Sequence, residues 1–518
     1  MIVHKQSNSL ILKLRDPSKV TNVIPRARVV NYKGVDLTQV HFGLDEVRVL
    51  RNLGINAPSP VKYNYKWEGK FTPFSHQVTT TEFFTLNPRA ICLNDMGTGK
   101  SLSALWAADY LMQKGVRRKA IIVSPMSTMD SVWANEIRMH FMFTRTCAVL
   151  HGTKERRLKM LALDVDFYII NHDGLKVIGD DIAKREDIDL WILDEAAVYR
   201  NSQTSRFKSI TKMLQPTDWV WLMTGTPCPV APTDAWALAK LMGSPLAPKY
   251  FNTFKHATME QVTQYKWVPR PGAFDQAFAI LQPGIRFKKS DCLDLPAVTL
   301  QHRQCDLTIT QQKVYKDMHQ ELVASIQGRE VTAANAAVKL SKLLQICCGV
   351  LYDGAGGHAN VDAKNRLELV EEICEEAANK VIIFVPFTAA LEQVAAHLKQ
   401  RWTVEVVHGA TSPTERKRIF DAFQQSPDPR ILVAHPKTTA HGLTLTEADT
   451  TIWYAPIFSL EIFEQANNRM NRPGQRNPMT VVMLESTGME SAIYAALRGK
   501  GRMQDSVLDL YKKEVGLV

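Results

Sequence analysis

Four short stretches of this chain occur twice, in the same order. KAIIVSP (119–125) is echoed by KVIIFVP (380–386), and CAVLHGTKERR (147–157) by VEVVHGATSPTERKR (404–418). DFYIINH (166–172) returns as RILVAHP (430–436), and LWILDEA (190–196) as TTIWYAP (450–456). Each is an apolar run of the length of a buried strand, and helix-length segments separate them. Strands alternating with helices assemble as parallel sheets with crossover helices. The repeat therefore predicts an α/β fold with two tandem, homologous parallel-sheet domains. Ligands of such sheets gather where the strands end in loops, and two such domains facing each other would make a cleft able to open and close.

The 518 residues exceed one core and suggest about three or four domains. Residues 1–68, with short alternating stretches such as SLILKL and the helical LDEVRVLRNLGI, are expected to form a small separate α+β domain. The first repeat is placed at 69–227, a helical insertion or brace at 228–360, and the second repeat at 361–518. With 45% hydrophobic and 22% charged residues the chain reads as globular. No run approaches the roughly 20 apolar residues of a membrane span, and MIVHKQSNSL has no apolar signal core, so no membrane association is expected. Eight cysteines without a CxxC pair argue for a reducing interior rather than a disulfide framework or metal site. The 63 Lys and Arg against 52 Asp and Glu suit a polyanionic partner, most simply nucleic acid.

Ahead of the first repeat, RAICLNDMGTGKSLSALWAADYL (89–111) runs from an apolar strand through Met96-Gly97-Thr98-Gly99-Lys100-Ser101 into a helix-forming stretch. That strand–loop–helix setting gives a phosphate loop its meaning. Glycines let backbone N–H groups turn inward, Lys100 reaches the outer phosphates, and the Ser101 hydroxyl can ligate Mg2+. The common GxxxxGK[ST] pattern wants Gly at 94, where this chain has Asn. Further on, LWILDEAA (190–197) ends an apolar strand in two carboxylates. Asp194 is placed to hold Mg2+ through water, and Glu195 to align and deprotonate an attacking water. In the second repeat, QANNRMNRPGQ (465–475) is expected to set Gln465, Arg469 and Arg472 on one helix face before Pro473-Gly474 turns the chain. Arg suits phosphate, so Arg469 and Arg472 are candidates to stabilise the departing γ-phosphate of ATP.

With these motifs in order, the chain from about 70 to 518 resembles a helicase superfamily 2 ATPase of the Swi/Snf family, double-stranded DNA translocases built on two RecA-like domains. FSHQ (74–77) resembles the glutamine motif, which implies that Gln77 reads adenine. DMGTGKS, AIIVSP and DEAA resemble motifs I, Ia and II, and MTGTP (223–227) motif III, whose Thr224, Gly225 and Thr226 would couple nucleotide state to DNA grip. RFKKSDCLDLP (286–296) and LTITQQKVY (307–315) are similar to the family's inter-lobe segments. HGLTLTEAD (441–449) resembles motif V and QANNRMNRPGQ motif VI, which brings Gly442 and Gln465 to the nucleotide side. Ala197 stands where the family usually has His, and Asn468 and Asn471 replace its Asp and His. The resemblance implies ATP and Mg2+ as cofactors and tracking along a DNA backbone without reading sequence. The candidate DNA contacts by position are Ser124, Pro125, Thr128, Pro386, Thr388, Lys437 and Thr438.

The N-terminal region faintly resembles the DNA-binding modules that precede phage and eukaryotic fork-remodelling helicases. A structural cap on the first lobe is the equal alternative. The compact architecture looks like a phage or bacterial enzyme, implying a cytoplasmic motor acting as a monomer. An ATP-driven DNA translocase is thus the leading expectation. A strand-separating helicase and an ATP-gated DNA clamp are the alternatives, and a metabolic phosphate-loop kinase would leave the second repeat unexplained.

Overall fold

In the computed structural model the residues described are 1–226, 228, 231–263, 267–324, 333–353, 356–439 and 444–498. They fall into two units, Met1–Cys292 and Leu293–Val518. The first holds a seven-stranded sheet ordered Gly284–Ile285, Arg89–Cys92, Trp219–Met223, Ile188–Asp194, Lys119–Ser124, Phe167–Asn171, Cys147–Leu150. The second holds a six-stranded sheet ordered Val298–Gln304, Met479–Glu485, Ala448–Trp453, Lys380–Phe384, Ile431–Ala434, Val404–Val407. Every pairing in both sheets is parallel. The four echoed stretches occupy matching places, so the sequence repeat is a repeat of topology.

The inner strands of both sheets are covered on both faces, which is why they read as unbroken apolar runs rather than as alternations. Ala120 and Ile122 enter one core of the first unit, and Ile121 and Val123 the other. In the second unit Ile382 and Phe384 point one way, and Val381 and Ile383 the other.

The N-terminal residues form a four-stranded antiparallel sheet, ordered Ile2–His4, Ser9–Leu12, Val35–His41, Arg28–Tyr32. Expected as a separate domain, this sheet instead shares a continuous core with the first lobe. Leu10, Leu12 and Val40 belong to the same buried cluster as Phe84 and Trp106. A polar tie fastens the join: Tyr65 Oη donates to Asp109 Oδ2 at 2.6 Å while Arg145 Nε donates to Asp109 Oδ1 at 2.6 Å.

The stretch 228–360, read as a brace between the lobes, is likewise shared out. Leu238, Phe254 and Ala277 pack into the first unit's core, and Leu340, Leu343 and Leu344 into the second's. The first unit's edge strand Gly284–Ile285 and the second unit's edge strand Val298–Gln304 lie on either side of the division. No helix among the described residues is long and apolar enough to cross a membrane.

Candidate active site

The parallel register brings the ends of the first unit's central strands level. Met223 pairs with Cys92 on one side and Asp194 on the other, and Val123 pairs with Leu193. The phosphate loop, the Thr224–Thr226 turn, the Asp194–Glu195 pair and the Ser124–Pro125 turn therefore all leave the same edge of the sheet. Burial pushes the Cys92 thiol up to about 11, with Lys100 pulling it down and Asp194 adding to the rise. Both charges thus act on one strand end.

The loop depends on glycine at two points. Gly97 has φ 83° and Gly99 has φ 76°, in the left-handed region that costs other residues steric strain. A Cβ on Gly99 would come within 2.0 Å of Gln77 Nε2. Helix Lys100–Gln113 starts immediately afterwards, so its unpaired N–H groups face the loop. Lys100 Nζ donates to the carbonyls of Asn94 at 2.8 Å and Asp95 at 3.0 Å. Thr98 Oγ1 donates to the Asp95 carbonyl at 2.8 Å. Ser101 lies half-buried in the first helical turn, and Met96 is half-buried in the loop.

Gln77 is buried beside this loop, and its Oε1 accepts the Phe74 N–H at 2.9 Å. Sequence reasoning passed over its neighbour His76, whose Nε2–H reaches the Thr98 carbonyl at 2.9 Å. It also treated Asn94 only as a departure from a pattern. Asn94 is buried, donates from Nδ2 to Thr80 Oγ1 at 2.9 Å, and accepts the Phe287 N–H on Oδ1 at 2.9 Å. Around it the segment 285–289 runs beside the loop: Leu93 N–H donates to the Ile285 carbonyl at 2.7 Å, Asp95 N–H to the Phe287 carbonyl at 3.0 Å, and Lys289 N–H to Asp95 Oδ2 at 3.0 Å. The phosphate loop is thereby laced to the last stretch of chain before the second unit. No local sequence signal marks partners almost two hundred residues apart.

Asp194 is held from two sides. Trp133 Nε1 donates to Oδ2 and the Glu195 N–H to Oδ1, each at 3.0 Å. Trp133 is fully buried in a π-helical turn, Met129–Ala134, a conformation frequent at functional sites. Glu195 has φ 48° and ψ 47°, a left-handed conformation uncommon outside glycine that points to function when it persists. Ala197 is buried in the following turn. Thr224 N–H donates to the Cys92 carbonyl at 3.0 Å, and Thr226 N–H to Thr224 Oγ1 at 3.2 Å. A Cβ on Gly225 would sit 3.6 Å from the Asn94 carbonyl. The Thr224–Thr226 turn therefore abuts the glycine-rich loop.

In the second unit the helix is shorter than its sequence suggests. It spans Leu460–Asn467, so Gln465 lies on it but Arg469 and Arg472 do not; they sit in the turns that follow. One helix face does not carry all three. Asn467 ends the helix with its Oδ1 taken by Trp453 Nε1 at 3.0 Å. Arg469 is almost wholly buried, and its carbonyl accepts the Leu445 N–H at 3.0 Å, joining motifs V and VI. Arg472 Nε donates to the Asn468 carbonyl at 3.0 Å. Gln465 is buried and Gly442 lies outside the described residues.

The candidate DNA contacts divide by exposure. Ser124 and Thr128 are buried and direct their hydroxyls to the Pro125 carbonyl at 3.3 and 3.0 Å, so they shape that turn. Pro125, Pro386 and Thr438 are half-buried, while Thr388 and Lys437 are exposed.

Two family models match the chain: the SNF2-related domain over residues 61–350, more than half of its length, and the helicase conserved C-terminal domain over 365–474. Among similar proteins, a probable ATP-dependent DNA helicase of Arabidopsis thaliana is 23% identical over 442 residues, 78% of this chain and 38% of that protein. An ISWI chromatin-remodeling complex ATPase of the same plant is 25% identical over 76% of this chain and 38% of its own length. The chain thus spans well under half of these relatives. Protein p41 of Acyrthosiphon pisum secondary endosymbiont phage 1 is 21% identical over 86% of this chain and 99% of its own length. A solved Sulfolobus solfataricus SWI2/SNF2 ATPase core in complex with dsDNA has 22% identity and a TM-score of 0.42, covering 86% of this chain and 97% of that one.

Proposed function

The chain belongs to the SNF2-related family, Swi/Snf ATPases of helicase superfamily 2, and on that footing we propose that it hydrolyses ATP to move along or remodel duplex or branched DNA. The observation that carries the reading is the convergence, at one sheet edge, of a glycine-built phosphate loop, an oriented Asp194, a strained Glu195 and the Thr224–Thr226 turn. In this reading the phosphates of ATP replace the Asn94 and Asp95 carbonyls as partners of Lys100, and loop and helix N–H groups hold their oxygens. Gln77 presents its amide to adenine. Glu195 takes the proton of the attacking water. Ser101 and Asp194 fit a Mg2+ ion, since one offers a hydroxyl beside the loop and the other a carboxylate fixed by two donors. Bound there, Mg2+ would neutralise charge on the outer phosphates. Arg469 and Arg472 supply the guanidinium charge that steadies the departing phosphoryl group, an effect of about 10³–10⁵ in rate for arginine fingers generally.

Movement follows from the Thr224–Thr226 turn, which abuts the loop that senses the nucleotide. DNA is held through its backbone, with Thr388 and Lys437 exposed on the second unit and the Pro125 turn on the first. Replication, repair or recombination is the setting that branched DNA implies. A bacterial or phage-infected cytoplasm is supported by the phage relative that matches along nearly its whole length.

The test is an ATPase titration with single-stranded, duplex, forked and four-way DNA. Turnover should rise steeply with duplex or branched DNA, and Lys100→Ala, Glu195→Gln and Arg472→Ala should each abolish it. Turnover indifferent to DNA would overturn the motor reading.

A further inference from the structure

The phosphate chemistry makes no use of the N-terminal antiparallel sheet. One face is closed, with Leu10, Leu12, Thr38 and Val40 buried. Strand register sets the other face: Arg28 lies opposite Gln39, Val30 opposite Leu37 and Tyr32 opposite Val35. All five residues of the edge strand Arg28–Tyr32 are exposed, and Tyr32 is 60% exposed. At the tip Lys33 and Gly34 both take left-handed conformations, φ 51° and 79°, the geometry of a tight hairpin turn. Lys33 Nζ stands 5.5 Å from the centroid of the Tyr32 ring.

Charge on this region is one-sided. Residues 1–42 contain seven Lys or Arg and two Asp, with no Glu. Asp36 pairs with Asn31, one step out of phase with Tyr32 and therefore on the other face, and its Oδ1 accepts from Asn31 Nδ2 at 2.8 Å. Asp16 lies outside the strands and accepts the Ser18 N–H at 3.1 Å. The strand positions of the open face therefore combine an exposed aromatic ring, aliphatic side chains and the Arg28 guanidinium with no carboxylate, and Lys33 adds a second cation at the tip. Duplex DNA would satisfy the cations and leave the ring idle, because its base faces are stacked away. A single strand offers both phosphates and unstacked base faces.

We propose that this face docks single-stranded DNA, with a base stacked on Tyr32 and neighbouring phosphates on Arg28 and Lys33. The proposal rests on the reading of the chain as a DNA motor, for which an unpaired arm is the part of a branched substrate that the duplex track does not engage. RNA offers the same phosphates and base faces, so the test separates the two.

Binding of the full chain to labelled oligo-dT and oligo-U of about 15 nucleotides, and to blunt duplex, is measured by fluorescence anisotropy. Duplex-stimulated ATPase is followed in parallel. Tyr32→Ala should weaken oligo-dT binding about tenfold, the loss of one stacked base, and Tyr32→Phe should restore it. Arg28→Gln with Lys33→Gln should flatten the salt slope by about 1.4, two phosphate contacts on a single strand. Blunt-duplex affinity and ATPase should not change. The exposure of Tyr32 makes a folding defect avoidable, and unchanged melting of Tyr32→Ala verifies it. Wild-type affinity of Tyr32→Ala for oligo-dT overturns the proposal. Tight oligo-U binding without oligo-dT binding overturns its assignment to DNA. A change in sedimentation of Tyr32→Ala with no change in oligo-dT affinity makes the face a self-association surface instead and also overturns it. Absence of duplex-stimulated ATPase in the wild type would refute the motor reading, while oligo-dT affinities would still decide what the face binds.

Discussion

Asn94 offers a sharp test of how the phosphate loop is held. Its side chain makes two buried hydrogen bonds, 2.9 Å each, to Thr80 Oγ1 and from the Phe287 N–H. Asn94→Ala deletes both. At about 1 kcal/mol net per bond the loss is about 2 kcal/mol, and Thr80 is spared a larger penalty because its hydroxyl still donates to the His76 carbonyl at 2.7 Å. Asn94→Gly, which restores the commoner phosphate-loop residue, adds up to about 1 kcal/mol of backbone entropy. For a unit of this size 2 kcal/mol lowers the melting temperature by about 3 °C. Because Lys100 is anchored on the Asn94 carbonyl, loosening Asn94 should raise KM for ATP by a larger factor than it lowers kcat. Asn94→Asp keeps the acceptor for Phe287 and loses the donor to Thr80, so about half of the destabilisation should remain. Thermal melts and steady-state ATPase assays of the three variants read both effects. A glycine variant as stable as the wild type, with unchanged KM, would refute the claim that this side chain laces the loop to the segment at 285–289.

Two further perturbations test the same unit. Glu195→Gly should be inactive yet about 1 kcal/mol more stable than wild type, since glycine relieves the left-handed backbone, whereas Glu195→Gln should be inactive with no such gain; urea unfolding separates them, and equal stability would remove the strain from the account. Burial lifts the Glu136 carboxyl to about 7, above its ordinary 4.5, so the protonated form is favoured in the fold. Stability from this group is complete below pH 4.5 and drains away as pH rises through 7. Glu136→Gln should gain in melting temperature relative to wild type at pH 8 compared with pH 5, and parallel curves at the two pH values would contradict it.

Much of the first unit was legible because its signals are local. The strand ending at Cys92, the glycines at 97 and 99, and the carboxylates at 194 and 195 each announce themselves within a few residues, and the repeat marks four strands of each sheet in the same chain order, though not their places within the sheet. What stayed hidden depends on partners far along the chain. Trp133 is sixty-one residues from the Asp194 it orients, and nothing in MDSVWA distinguishes it from a core tryptophan. The N-terminal strands show correct alternation, but alternation does not say that their apolar side joins the core of Phe84 and Trp106 instead of making its own. The helix carrying Gln465 ends at Asn467, earlier than the spacing of Gln465, Arg469 and Arg472 suggests, and the Asn467 side chain there is engaged by Trp453, a partner fourteen residues away.

The duplicated topology sets different residues at corresponding strand ends of the two sheets. In the second sheet the place of Ile188–Asp194 is taken by Ala448–Trp453, which runs into the buried Tyr454 and Ala455 where the first has carboxylates. The place of Trp219–Met223 is taken by Met479–Glu485, followed by Ser486 and Thr487. There Arg366, fully buried, donates to the Tyr454 carbonyl at 2.6 Å and the Ser486 hydroxyl at 2.7 Å, and pairs with Glu490 at 2.9 Å. Removing one partner of such a pair leaves an uncompensated buried charge at a cost of about 3–5 kcal/mol, so this strand end has no guanidinium to spare for a phosphate. The same architectural edge therefore carries the glycine-built loop and the Asp194–Glu195 pair in Met1–Cys292, and a buried Arg366–Glu490 pair in Leu293–Val518. In the proposed reaction, then, the second unit's guanidinium groups must come from elsewhere, and Arg469 and Arg472 follow helix Leu460–Asn467 instead.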